Sequence, residues 1–289
     1  MPNTLAIKQR IKSVANVKQI TKAMELTSAA KMHKAQLATL NTRPYAARVL
    51  ELVRGLEKRG AGSHPLLEVR PVQKQLIILV AADRGLAGGL NTTLIRETIQ
   101  FIKQSGQETD IVVVGKKGLP IANRAKVNII ATFTDLKVSI DSTATRPISL
   151  LARDQFLTKT YDVVYVAYNH FQSTLTQKPT ITQLLPFIEH RDQTEQSEEQ
   201  LLFGEALFEP SAQDVLDSLL PRLVDQLFLQ MVLESVASEH AARMVAMRNA
   251  TDNARDLLED LGLAFNGIRQ STITAQMAEI SASITALEE

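Results

Sequence analysis

The chain has 289 residues, 45% of them hydrophobic but only 4% aromatic, with no Trp and a formal net charge of +1. That length builds one medium domain with extensions, or two small ones. Near-neutral charge argues against a general nucleic-acid binder held by phosphate neutralisation. With no cysteine, disulfides, thiolate metal sites and cysteine nucleophiles are excluded. The five histidines are scattered without metal-ligand spacing. No apolar run reaches transmembrane length and the first residues lack a signal-peptide core, so a soluble bacterial cytoplasmic chain is expected.

From residue 3 to about 57, Ile7, Ile11, Val14, Val17, Ile20 and Met24 recur in steps of three and four, predicting a helix that Asn3 or Thr4 can cap. Small residues then take over, and Pro44 is expected to bend the helix without ending it. Residues 1–60 carry 12 Lys and Arg against three acids, Glu25, Glu51 and Glu57, which suits a local acidic partner. RGAGSHP at 59–65 reads as a linker.

Short β-branched runs follow: KQLIILVAA (74–82), DIVVVG (110–115) and DVVYVAY (162–168). TTLIRETIQFIKQ, KGLPIANRA and ISLLARDQFLTKT lie between them with helical patterning. Alternation of this kind predicts a mostly parallel sheet with right-handed crossovers. TQKPTITQLLPF should add an edge strand, where Pro179 is tolerated. The acidic, Gln-rich stretch after it, from 189 to 200, reads as an exposed loop.

From Pro210 to the end the pattern is helical, with Pro221 expected to separate a short helix from a long one. Leu229, Leu233, Val236, His240, Arg243, Met247, Ala250, Ala254, Leu257, Leu261, Ala264 and Ile268 alternate in steps of four and three, a coiled-coil seam. Its middle is thin, which suits a closely packed partner helix. If the N-terminal helix is that partner, antiparallel, facing positions should add to about 267, setting Met24 beside Arg243. Glu25 or Lys22 should then reach His240, Arg243 or Arg248. A second seam, Ile273, Met277, Ile280, Ile284 and Leu287, is offset from the first. Between Arg269 and Glu288 only Glu279 is charged, so the tip is expected to sit in a sleeve of other protein.

DRGLAGGLN at 83–91 follows a strand and opens a helix, where α/β folds bind phosphates. It is neither G-x-G-x-x-G nor a P-loop, and Gly85, Gly88 and Gly89 read better as permitting a tight turn. No Ser/His/Asp set or carboxylate pair can be assembled, and His240 on the seam reads as a packed histidine.

IKQRIKSVANVKQITKAMELTSAAKM (7–32), DRGLAGGLN and ESVASEHAARMVAMRNATDNA (234–254) resemble three signature segments of the F-type ATP synthase gamma subunit, as do RPYA (43–46) and IRQSTIT (268–274). The resemblance spans essentially the whole chain. It implies a fold of mixed α+β and α/β class. A long antiparallel coiled coil of the N- and C-terminal helices (1–60 and 209–289) flanks a Rossmann-like α/β middle or foot domain (66–205). It implies the non-catalytic central rotor stalk of a proton-translocating synthase, coupling rotation of the membrane ring to conformational change in the catalytic ring. The implied partners are the alpha and beta subunits, the epsilon subunit and the membrane c-ring. No cofactor, metal, nucleic acid or direct membrane insertion is implied, and the place is the cytoplasmic face of the bacterial plasma membrane. Carried over by residue, Met24 and Arg243 meet the catalytic ring, and Gln270 and Thr274 form an upper contact on a beta subunit. Asp83, Arg84, Gly85, Gly88 and Gly89 make the foot-domain turn. Gln276 stands where the family usually has an acid, and thiol control as in chloroplast forms is excluded.

Overall fold

The computed structural model describes residues 4–58, 64–135, 142–187 and 209–288. The linker stretch 59–63 and the acidic stretch 189–200 lie outside them. Helix α1 runs Thr4–Lys58, β1 Lys74–Val80, α2 Leu90–Ser105, β2 Glu108–Val114, α3 Ile121–Ala125 and β3 Asn128–Phe133. Then come α4 Ser142–Leu157, β4 Val163–Phe171, β5 Gln177–Leu185 and α5 Ala212–Glu288. The chain divides into two compact units, one holding the residues up to Ser28 and from Arg243 onward, the other Ala29–Ala242.

In the second unit the strands form one sheet in the order β3-β2-β1-β4-β5, the first four parallel and β5 antiparallel at the edge. β1 and β2 are buried along nearly their whole length, as strands covered on both faces must be. One face, through Leu76, Ile78, Val112, Val164 and Val166, packs against Val49, Val53 and Leu56 of α1, Phe156 of α4, and Leu216 to Val232 of α5. The other, through Ile77, Leu79, Ile111 and Val113, packs against Leu94 and Ile95 of α2 and Ile121 of α3. Pro179 sits in β5 opposite Asn169, on the edge. The sheet has one parallel strand more than the sequence runs suggest. β3 is an edge strand with no fully buried residue, so it needs only the short Ile129-Ile130 pair and carries no long apolar run.

Both prolines lie inside continuous helices, Pro44 in α1 and Pro221 in α5. The first leaves its helix unbroken, as expected; the second corrects the expectation of a break. A helix-interior proline costs about 3 kcal/mol. Around Pro221, however, Leu216, Leu220, Leu223 and Val224 are all completely buried, and each such side chain contributes roughly 1.5–3 kcal/mol. Burial outweighs the lost hydrogen bond.

In the first unit α1 buries or half-buries Ile7, Ile11, Val14, Lys18, Thr21, Glu25 and Ser28 in steps of four and three, with Ala15 and Met24 half-buried beside them. Val17 and Ile20, expected on the seam, are 48% and 59% exposed. Stepping 14-17-20 takes two threes in a row, which swings the stripe about 120° around the helix. Regular pairing therefore takes polar Lys18 and Thr21 and turns two better hydrophobes outward. On α5 the expected positions from Leu229 to Ala254 are all buried or half-buried. Beyond Ala254 the stripe moves to Leu258, Leu261, Phe265, Ile268, Thr272 and Ala275, leaving Leu257 and Ala264 exposed. Of the second stripe, Ile273, Met277 and Ile280 are exposed, as is every residue of 276–281. The side chains of Ile284 and Leu287 lie outside the described residues.

The pairing register also differs. Thr251 Oγ1 donates to Thr21 Oγ1 at 2.8 Å, a pair whose numbers add to 272. The antiparallel partnership holds, but Met24 lies level with position 248, and Lys22 and Glu25 bond to each other at 3.0 Å. Side-chain fit along the seam, not equal helix length from a common base, sets this register.

Candidate functional site

The glycine-rich turn after β1 is built by backbone contact. Ala81 N–H donates to Val114 O, Lys117 N–H to Ala82 O, and Ala82 N–H to Asn91 Oδ1. Gly115, at φ +89, passes so close that an added Cβ would stand 2.1 Å from Ala81 O. Only glycine allows that approach. Asp83 closes the turn: Oδ1 accepts from Lys116 N–H at 3.1 Å and Oδ2 from Asp135 N–H at 2.9 Å. Lys116 Nζ in turn bonds both Asp135 oxygens, and that hydrogen bond, with the lysine charge, holds the Asp135 carboxyl below the usual range.

Arg84 and Gly85 follow Asp83, and Gly85 lies under the Lys117 side chain. Leu86 is 62% exposed at φ +64, a conformation uncommon for a leucine. Gly88 also takes a positive φ, and Gly89 caps α2 without a side-chain bond. A cavity of about 280 Å³ opens here, lined by Gly85, Leu86, Asn91, Lys117 and Arg124 among others. Both carboxylates near it, Asp83 and Asp135, are committed to hydrogen bonds, so the turn joins the ends of β1, β2 and β3.

At the opposite strand ends, Tyr161 donates to Asp110 Oδ2 at 2.7 Å, and Lys74 Nζ reaches Asp110 at 3.1 Å and Glu108 at 2.7 Å. Burial, the largest single influence on Asp110, pushes its carboxyl up, yet the bonds from Tyr161 and Lys74 together outweigh it and hold it low. Burial and the bond to Asp110 push the Tyr161 hydroxyl far above its ordinary value. Sequence reading missed this cluster because its bonded partners lie 34 to 51 positions apart. The polar Asp110 opening an apolar strand was the available signal.

The remaining expected site residues lie in the first unit. Met24 is half-buried on α1 and Arg243 is buried on α5. Gln270 and Thr274 are both exposed, one helical turn apart, with Thr274 Oγ1 donating to Gln270 O at 3.0 Å. Near them a groove of about 290 Å³ is lined by Leu5, Lys8, Phe265, Arg269, Thr272 and Ile273. Among the described residues no group of three or more His, Asp or Glu could hold a metal, and no helix is long and apolar enough to cross a membrane.

A parallel sheet with committed polar ends and a long, thinly sealed helix pair is the build of a scaffold subunit that works through its surfaces. Comparison with known proteins agrees. The ATP synthase family model matches residues 3–287. The ATP synthase gamma chain of Roseiflexus castenholzii is 43% identical over 295 residues, and that of Pelotomaculum thermopropionicum 39% over 294, each alignment covering all of both chains. The fold is shared with the rotor of Euglena gracilis mitochondrial ATP synthase (20% identity, 93% and 98% of the two chains, TM-score 0.64). It is shared also with the Tetrahymena thermophila central stalk (21% identity, 80% and 99% covered, TM-score 0.61). The chain belongs to the ATP synthase gamma chain family, a non-catalytic subunit of a complex whose catalytic sites lie in other subunits.

Proposed function

We propose that the chain is the central rotor stalk of an F-type ATP synthase, turning with the membrane ring and driving conformational change in the alpha/beta ring. The observation that carries this is full-length agreement with gamma chains at about 40% identity, on a chain whose two long helices meet at Thr21 and Thr251. The charge-poor stretch from Gln270 to Ser281, exposed except at Thr272 and Ala275, supports insertion among partner subunits, since it can turn against an apolar sleeve without burying ions. In this reading 1–60 and 209–289 form the shaft and 66–205 the foot. Met24 and Arg243 meet the catalytic ring, while Gln270 and Thr274 grip a beta subunit.

The foot is Rossmann-like in arrangement, a reading supported by the parallel order β3-β2-β1-β4 with helices on both faces. It serves as a platform for the epsilon subunit and the membrane ring. The turn from Asp83 to Gly89 is architectural there and binds no nucleotide. The complex sits at the cytoplasmic face of a bacterial membrane, and this chain is peripheral to it. Expression with alpha and beta subunits tests the proposal: the chain should co-purify in a stoichiometric ATPase. A stable homodimer that ignores both subunits would overturn it. Asp83→Ala and Lys116→Ala should leave nucleotide binding by that ATPase unchanged.

A further inference from the structure

Up to Val232, α5 is fastened to the sheet by apolar side chains. The next turn changes character. Glu234, Ser235 and Ser238 are 5%, 5% and 0% exposed, and each finds its partner on the sheet. Ser235 Oγ donates to Val80 O, the last carbonyl of β1, at 3.2 Å. Ser238 Oγ donates to Asn169 O of β4 at 2.9 Å. Glu234 Oε2 lies 2.6 Å from His170 Nδ1 on β4, and its Oε1 accepts from Gln230 Nε2 at 3.2 Å. At 100° per residue the three side chains span an arc of about 100°, one face of the helix. Ala237 and Ala241, both buried, let that face approach closely.

We propose that Glu234, Ser235 and Ser238 form a rotational key that locks α5 against turning about its own axis on the central strands β1 and β4. This rests on the rotor reading and names the place where torque passes between the sheet and the long helix. Apolar contact is non-directional and resists separation more than rotation. Hydrogen bonds weaken steeply off line. At a radius of about 4–5 Å, a turn of about 20° displaces these groups by roughly 1.5 Å, enough to break all three contacts together. The bonds end on backbone carbonyls and on a strand side chain, so the load enters the sheet ladder itself. These are positioning residues; no reacting group touches them.

The test uses the assembled synthase in sealed vesicles, reading ATP hydrolysis and ATP-driven ion pumping together. Ser235→Ala with Ser238→Ala removes both hydroxyls with little change of volume, and His170→Ala removes the partner of Glu234 at a partly exposed site. Each should leave hydrolysis within about twofold of wild type while ions pumped per ATP fall at least threefold, and His170→Gln, which restores a donor, should recover coupling. Unchanged coupling in the serine pair, or in His170→Ala if that pair fails to fold, would overturn the key. The isolated full-length chain gives a second reading that does not depend on the rotor role: amide exchange across 234–241 should quicken at least tenfold in the serine pair. Unchanged protection there rejects the key. A wild-type chain that never joins alpha and beta subunits rejects the rotor reading, and exchange in the isolated chain then decides the key alone.

Discussion

Strand β1 is buried at every position from Gln75 to Val80, whereas α1 between Ile7 and Ser28 buries only Thr21 and Ser28. The sheet is sealed on both faces by aliphatic side chains with few polar atoms to satisfy. The helix pair of the first unit is half-sealed, and its cross-helix bond from Thr251 to Thr21 is a hydroxyl on a hydroxyl. A non-directional contact gives stability without choosing a register; a polar contact in a thin seam chooses a register with little stability. The two regions thus divide the labour between holding and aligning.

The comparison breaks most visibly in the sheet. Gly115→Ala should prevent folding of the second unit, since its Cβ would overlap Ala81 O and its φ is +89. Loss of the cooperative thermal transition is the expected result. Phe156→Ala, at a completely buried position, should cost about 3–5 kcal/mol in a urea titration. A loss below about 1 kcal/mol would mean that α4 is not a structural part of the core.

Tyr161→Phe should cost about 1–2 kcal/mol by leaving Asp110 short of a donor. The sign of the acid dependence follows from the depressed Asp110 carboxyl. A group held below its unfolded value contributes stability fully above that value, 3.8, and loses it as pH falls through the folded one. Asp110→Asn should therefore flatten the acid limb of the stability curve below about pH 4. An acid limb that keeps the wild-type slope would assign it to other carboxylates.

In the helix pair the effects are smaller and concern alignment. Thr21→Val should cost about 0.5–1.5 kcal/mol. Cysteines at 21 and 251 should bridge readily on oxidation, while a pair at 24 and 243 should not, because a disulfide needs Cα atoms within about 7 Å. Efficient bridging of 24 to 243 would restore the register expected from the sequence. Smallest of all, removing the last ten residues should lower helical circular dichroism only in proportion, since Ile280 and Ser281, where the deletion begins, are exposed.

The sequence by itself determined the element types and the family. β-Branched runs between helical ones dictate a parallel sheet, and a step of three and four over scores of residues dictates paired helices. The turn after Asp83 was legible as a turn from Gly85, Gly88 and Gly89, and Gly88 does take a positive φ. What the pattern could not decide was which of two adjacent stripes faces inward. Val17 and Ile20 are the stronger hydrophobes, but the 3.6-residue period binds the seam to Thr21 and Lys18, and only the partner helix enforces it. Pro221 likewise looks like a break until the four buried neighbours that hold its helix together are in place. Ser235 and Ser238 lie off the seam positions read from the sequence and become sheet contacts only when α5 meets β1 and β4. Tertiary structure decided these points because each depends on a contact between residues distant in the chain, where burial outweighs local preference.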